Sequence, residues 1–264
     1  MTKRRLNERL IFLKLPQDCK RGVMTDSTRR LGIIGANGRM GRAVESAAAE
    51  RFAVSARITL DNPDYESLRD CDVVIDFSAG DALLNALPHL TDGTALVSGT
   101  TGLSASQEKT VSAASARLPI LRSGNFSLGI AVLMSLARQA TATLGTGWDV
   151  EILEMHHKHK IDAPSGTALM LGEAAAEGRS VSLTDVAAHD RIGQRRDGDI
   201  GFAVLRGGGV YGMHEVRIVS EAEMITLGHQ ALNRDVFAHG ALSAAEWLIR
   251  QTSGLYTMQD LIKT

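Results

Sequence analysis

From Arg29 to Leu144 the chain alternates short aliphatic runs with longer stretches in which apolar residues recur at helical spacing. "RRLGIIG" reads as a strand entering a glycine turn, and "RMGRAVESAAAE" as an alanine-rich helix. "FAVSARITL" and "CDVVIDFS" are the next two strands, and "AGDALLNALPHL" is the helix after them. "TALVSGTTG" is a strand opening into a small-residue turn, followed by the helix "SASQEKTVSAASARL". "PILRSGNF" repeats the strand-to-turn passage before the long apolar-faced helix "SLGIAVLMSLARQATATL". Strands and helices in this alternation predict βαβ crossovers and a parallel sheet.

The rhythm changes after about residue 147. "WDVEILEMHHKH" reads as one long strand, and "PSGTALMLGEAAAEG" as a helix. "DIGFAVLRGG", "MHEVRIVSE" and "EMITLGHQAL" then follow without a helix between them, which predicts a mixed or antiparallel sheet and a second domain. A helix, "DVFAHGALSAAEWLIR", and the tail "GLYTMQDLI" close the chain. The fold class expected is α/β: a first domain on a parallel sheet and a mixed α/β second one.

The glycines carry the first chemistry. Gly35, Gly38 and Gly41 stand in G-x-x-G-x-x-G spacing directly after an apolar strand. Such a turn brings helix-terminal N–H groups against a pyrophosphate. Asn37 replaces the commoner middle glycine, and asparagine is the other residue that tolerates a left-handed backbone. Glycines also serve plain helix–strand packing, but this strand–turn–helix context favours a dinucleotide. "SGTTG" (Ser98 to Gly102) and "SGNFS" (Ser123 to Ser127) both follow parallel strands, on the edge where such sheets bind ligands. No carboxylate ends the second strand at the position that would hold a ribose: Arg57 and Thr59 stand there, and Asp61 comes late.

The histidines carry the second. "HHKHKID" places three of the chain's eight histidines in four positions, from His156 to His159. If the strand continues, His157 and His159 share one face and His156, Lys158 and Lys160 the other. Metal ligation fits poorly, because the lysines repel a cation and no cysteine is near. A solvated edge would more often hold Lys, Glu or Thr. An anion pocket remains, with a positive field from Lys160 and a histidine able to donate a proton near neutrality. "PSGT" (Pro164 to Thr167) begins a helix that Ser165 can cap, and its free N–H groups form a second anion site. The pair suits a carboxylate or dicarboxylate.

Composition narrows the classes further. The formal net charge is -1 and the pI about 6.7, so no global field recruits nucleic acid or a membrane surface. No apolar run approaches the roughly 20 residues of a membrane span. Two cysteines among 264 residues make no disulfide framework and suit a reducing compartment, so a cytoplasmic location is expected. Residues 1–23 carry seven Lys/Arg against two acids and stand apart from the rest, with Met24 as a second candidate start. They are read as a disordered extension.

Taken in order, "GANGRMG", "VVIDFS", "SGTTG", "SGNFSLG", "HHKHKIDAPSGTA" and "IGFAVLRGGGVYGMHEV" resemble the 4-hydroxy-tetrahydrodipicolinate reductase (dihydrodipicolinate reductase) family of lysine and diaminopimelate biosynthesis. The resemblance covers about residues 30 to 262 and rests most on the "HHKHKIDAPSGT" block. It implies an N-terminal Rossmann-like domain, here 24–124, and a mixed α/β domain, 125–236, that binds substrate and forms a homotetramer through its open sheet. Residues 237–264 would return to the first domain. It implies reduction of a cyclic imine dicarboxylate by NADH or NADPH with loss of water. On matching positions, His156 would be the acid–base histidine and Lys160 the proton-donating lysine. Lys160, His157, Ser165, Gly166 and Thr167 would contact substrate carboxylates. Gly35, Ala36, Asn37, Gly38, Arg39, Met40, Gly99, Thr100, Thr101, Ser123, Gly124, Asn125 and Phe126 would contact the cofactor. The rivals are an amino-acid-type dehydrogenase of similar architecture and a non-catalytic NAD(P)-binding regulator. The missing acid after the second strand favours NADPH at least equally with NADH, through Arg57 or Arg39.

Overall fold

The structure, a computed structural model, describes residues 29–49 and 51–263. The expected extension and the Met24 lead therefore lie outside the described residues. The first sheet is built from β1 (Arg30–Ile34), β2 (Ala53–Ile58), β3 (Val73–Asp76), β4 (Ala95–Ser98) and β5 (Pro119–Arg122). All pair in parallel, in the order β5-β4-β3-β1-β2. β1, β3 and β4 are almost entirely buried and apolar, as strands covered on both faces must be. The covering helices are α1 (Arg39–Ala48), α2 (Gly80–Ala86) and α3 (Ala105–Ala114). α3 begins in a capping box, Ser104 with Gln107, that satisfies donors at its free end.

α4 (Leu128–Leu144) leads into the second sheet. β6 (Asp149–His156) is its centre, followed by α5 (Gly166–Gly178), α6 (Leu183–Val186), β7 (Ala187–Ala188), β8 (Ile200–Arg206), β9 (Met213–Val219) and β10 (Met224–Gln230). The order is β10-β9-β6-β8-β7; β6 pairs with β9 antiparallel and with β8 parallel, so the sheet is mixed. α4 and α5 cover one face, with Ile130, Leu133, Ala168 and Leu171 packed on Val150, Ile152, Val216 and Ile218. Burying each of these larger side chains contributes about 1.5–3 kcal/mol against exposure. By length and composition Leu128–Gly147 could cross a membrane, contrary to the reading of the sequence. Its apolar residues are accounted for in part by that packing.

The end of the chain returns to the first sheet. α7 (Asp235–Leu248) packs on α1, β3, β4 and β5, and Arg51 holds its Glu246 at 2.6 Å. β11 (Gly254–Tyr256) then pairs in parallel with β5 as a sixth strand, which the sequence reading did not assign. α8 (Met258–Ile262) lies against α4, where Gln259 donates to the Ala131 carbonyl at 2.9 Å.

Two local expectations change. β6 stops at His156 rather than running to His159. Gly207 N–H takes the His156 carbonyl, His157 N–H reaches Val210 O at 2.8 Å, and Lys160 N–H turns back to His157 O. The alternation of faces proposed for His157 to Lys160 therefore does not exist. The left-handed position of the glycine loop is Gly35 (φ 79), and Asn37 is not among the positive-φ residues.

Candidate active site

The glycine loop is fixed by its neighbours before it meets any ligand. Gly35 and Ala36 N–H groups both reach the Ile58 carbonyl, at 2.9 and 3.1 Å. A Cβ at Gly35 would lie 2.6 Å from Phe77 O, and one at Gly41 would overlap the Gly35 carbonyl. Only glycine fits either place. Gly38 precedes α1 without a side-chain cap, so the first N–H groups of that helix are open. A cavity of about 420 Å³ stands there, lined by Gly35, Asn37, Gly38, Thr59, Asp61 and Ser78 among others. Its glycine backbone and open helix start fit a dinucleotide pyrophosphate.

Of the other cofactor candidates, Ala36 is buried, Met40 packs against the core, and Arg39 is exposed and makes no ion pair among the described residues. Arg57 points elsewhere: its guanidinium is paired with Glu45 at 2.7 Å, and it does not line the cavity. Gly99 N–H reaches Asp76 O at 2.8 Å, and a Cβ added there would overlap the Phe77 ring and press on Phe126. Phe126 is buried and meets Phe77 edge to face. Thr100 donates its hydroxyl to the buried Asp76 at 2.8 Å, as Ser98 does at 2.7 Å. Burial pushes the Asp76 carboxyl above its ordinary range, against the hydrogen bonds from Ser78, Ser98 and Thr100 that favour its charge.

The second region is a cleft of about 1100 Å³ that brings Thr101, Ser123, Gly124 and Asn125 opposite His156, Lys160, Ser165, Gly166 and Thr167. Strand order explains half of this: the first set follows β4 and β5 at the carboxyl edge of the first sheet. Local chemistry explains the rest. Ser165 caps α5 by accepting from Ala168 N–H at 3.2 Å, as its sequence position suggests. Asn125 donates to Thr167 Oγ1 at 2.8 Å and so ties the two sides together. Lys160 Nζ is 2.9 Å from Asp162, which lowers the Asp162 carboxyl. His157 does not line the cleft, and its Nδ1 is buried without a hydrogen bond.

His156 closes β6 and is 8% exposed. Its Nδ1 is 2.6 Å from Glu154 Oε2, and no hydrogen bond among the described residues engages Nε2. Burial lowers its pKa; the bond and charge of Glu154 oppose that, while Lys160 and Arg206 add to it. Glu154 is fully buried, and Arg206 grips both its oxygens, at 2.8 and 2.9 Å. Burial alone would raise Glu154; Arg206, His156 and the Ser165 N–H hold it below the usual carboxylate range. His214 on β9 stands 5.1 Å from the His156 ring, with Nε2 3.2 Å from Ser165 Oγ. Burial, with some repulsion from His156, pushes it down to about 4.

Glu154, Arg206 and His214 were not singled out from the sequence. The available signal was a charged residue in the row Val150, Ile152, Glu154, His156, the inward face of β6. The opposite row, Asp149, Glu151, Leu153, Met155, is no more polar in outline, so sequence alone did not say which row turns inward.

The described residues hold no group of three or more metal-ligating side chains. Family models for "Dihydrodipicolinate reductase, N-terminus" and "Dihydrodipicolinate reductase, C-terminus" match residues 29–126 and 129–262. The chain belongs to the dihydrodipicolinate reductase family. The 4-hydroxy-tetrahydrodipicolinate reductase of Caulobacter vibrioides is 47% identical over 88% of this chain and 96% of its own length. That of Zymomonas mobilis is 45% identical over 90% and 98%. A dipicolinate-bound dihydrodipicolinate reductase from Paenisporosarcina sp. TG-14 superposes with a TM-score of 0.70 at 23% identity, covering 88% of this chain and 98% of that one. At that identity the superposition establishes the fold. This reductase is an NAD(P)H-dependent oxidoreductase with a Rossmann-like domain and a mixed second sheet.

Proposed function

We propose that this chain reduces 4-hydroxy-tetrahydrodipicolinate to tetrahydrodipicolinate, with loss of water, in the cleft between β5 and α5. The reaction is that of its family in lysine and diaminopimelate biosynthesis. The observation that carries the reading is one cleft holding a histidine, a lysine and an open helix start beside the glycine-loop domain. NAD(P)H, when bound, supplies the hydride.

The residues divide the remaining work. Gly166 and Thr167 N–H groups at the start of α5 take one substrate carboxylate, helped by the helix dipole. Lys160 takes the other, displacing Asp162 as its partner. His156 delivers the proton from Nε2 as charge develops on the ring nitrogen. Its ring rests mostly neutral at pH 7, and a dianionic substrate beside it raises its proton affinity when the acid is required. Gly35, Gly38 and the start of α1 hold the pyrophosphate, with Thr101, Ser123 and Asn125 beside the reacting end of the cofactor.

NADPH is used at least as well as NADH, with Arg39 the candidate partner for a 2′-phosphate. The open face of the second sheet carries exposed Leu205 and Met224 and supports assembly as a homotetramer through that sheet. Nucleic acid and membranes have no part in the reading. The cytoplasm is its place, a reducing compartment in which the buried thiol of Cys71 needs no partner.

The test is NAD(P)H oxidation with and without freshly generated hydroxy-tetrahydrodipicolinate. Substrate-dependent oxidation is expected. Dinucleotide binding without turnover would instead favour the regulator.

A further inference from the structure

Glu154 is an ion in the wrong place for a structural residue. It sits on the inward row of β6 behind Val150 and Ile152 and is 1% exposed. A buried carboxylate is costly unless every lone pair is used. Arg206 alone would neutralise it, since the fork reaches both oxygens. Two further contacts do more than neutralise. Oε2 also meets His156 Nδ1 at 2.6 Å, and Oε1 accepts the Ser165 N–H at 3.0 Å. One carboxylate therefore touches the acid and the capping residue of the anion-binding helix together.

We infer that Glu154, clamped by Arg206, is a positioning residue for His156, fixing its proton on Nδ1 and turning Nε2 toward the cleft. The inference rests on the reading that His156 is the proton donor. A carboxylate can only accept, so the ring nitrogen facing it must carry a hydrogen. Nε2 is then the atom that gains and loses the catalytic proton, and the imidazolium form is stabilised when it arises. Arg206 pairs with His156 in the β6–β8 register and also donates to the Asp162 carbonyl at 2.6 Å. The clamp thus spans the loop that carries Lys160.

The charged and titratable groups around the ring define what a pH profile reads. Glu154 lies on its own strand and Arg206 on β8. His214 faces it from β9 with His229 of β10 behind, and Lys160 and Asp162 come from the following loop. Of these, Glu154 and Asp162 bear negative charge, and only Glu154 touches the ring.

The experiment compares wild type, His156→Gln, Glu154→Gln and Glu154→Asp for kcat, KM and inhibition by pyridine-2,6-dicarboxylate from pH 5.5 to 9. In glutamine the oxygen stays where the Ser165 N–H and Arg206 both donate, which leaves the amide nitrogen facing Nδ1, so the substitution favours the opposite tautomer and withdraws support from the imidazolium. Glu154→Gln is expected to lower kcat about tenfold or more at pH 7.5 and to move the basic limb down by about one pH unit. Inhibitor affinity should change less than kcat, and Glu154→Asp should recover part of the loss. Full turnover by His156→Gln would refute the donor reading itself. A large loss there, with Glu154→Gln unshifted in its pH limb, would overturn the positioning role alone. If Glu154→Gln does not fold, ring-labelled histidine in the wild-type protein decides. Long-range proton–nitrogen spectra, assigned through His156→Gln, should place the neutral-ring hydrogen on Nδ1; a hydrogen on Nε2 would reject the inference.

Discussion

The two ligand regions of this reductase are built from opposite materials. The cavity at the first sheet is lined by Gly35, Asn37, Gly38 and the ends of β1 and β2, with Asp61 its one charged lining residue. The cleft beside the second sheet adds Arg122, Arg138, His156, Lys160, Asp162, Glu177 and Lys263 to its small and apolar lining residues. In the proposed reading the first recognises by shape and backbone donors, so it fails when a side chain intrudes. The second adds placed charge to the backbone donors of α5, so in that reading it fails when a charge is removed. Substitutions in the two regions should therefore separate cofactor affinity from turnover.

The largest effects belong to the charged cleft. His156→Gln should lower kcat by about 10²- to 10³-fold while leaving pyridine-2,6-dicarboxylate affinity within a few-fold. Lys160→Ala should weaken that affinity and turnover together, since a carboxylate partner is lost. Either variant keeping half of wild-type kcat/KM would end the distinction between the regions.

Burial of the histidines behind the cleft sets an acid limit on stability. His214 is neutral in the fold down to about pH 4, whereas the unfolded chain takes up that proton near 6.5. As pH falls from 6.5 the unfolded state binds the proton first, so stability present above 6.5 is lost progressively toward pH 4. The loss approaches about 3 kcal/mol for this residue. His156 and His229 are lowered as well and add to it with the same sign. Urea unfolding at pH 7 and pH 4.5 should show the slope, and His214→Gln should flatten it; an unchanged slope would contradict the buried neutral ring.

In both regions the sequence made local features legible and cross-strand ones not, for a physical reason. A glycine loop, a capped helix and alternating strands are local, so the G-x-x-G-x-x-G spacing and Ser165 could be read in place. The clamp on His156 is made across strands: Glu154 meets Arg206, 52 positions away, and His214 comes from β9. No local pattern shows such pairing. Lengthening β6 to His159 had the same origin, because what ends it is hydrogen bonding to the segment Gly207 to Val210. The sequence offered Arg57 as a cofactor contact for want of its partner, and Glu45 on α1 proves to hold it.

Gly35→Ala tests the backbone region. The added methyl meets Phe77 O at 2.6 Å and needs φ 79, so both space and conformation oppose it. Destabilisation of about 1–3 kcal/mol is expected, with dinucleotide affinity reduced about tenfold or more. Dicarboxylate binding to the soluble variant should persist. Calorimetric titration of each ligand measures the split, and parallel loss of both would mean that the two regions are not independent.

The smallest effect concerns a charge beside the backbone region. A carboxylate at the ribose would accept from a free 2′-hydroxyl and repel a 2′-phosphate. The residues ending β2 are Arg57, Ile58 and Thr59, and Asp61 lines the cavity as an exposed residue. Arg57 is engaged by Glu45, whereas Arg39 opens α1 with its guanidinium unpaired among the described residues. Arg39→Ala should therefore lower kcat/KM for NADPH by about three- to tenfold, roughly 0.6–1.4 kcal/mol, and leave NADH nearly unchanged. Arg57→Ala should alter neither. The NADPH advantage should shrink as salt rises, because an exposed ion pair is screened. kcat/KM for both cofactors at low and high ionic strength measures this; a preference for NADH of about tenfold would give the ribose to Asp61 instead.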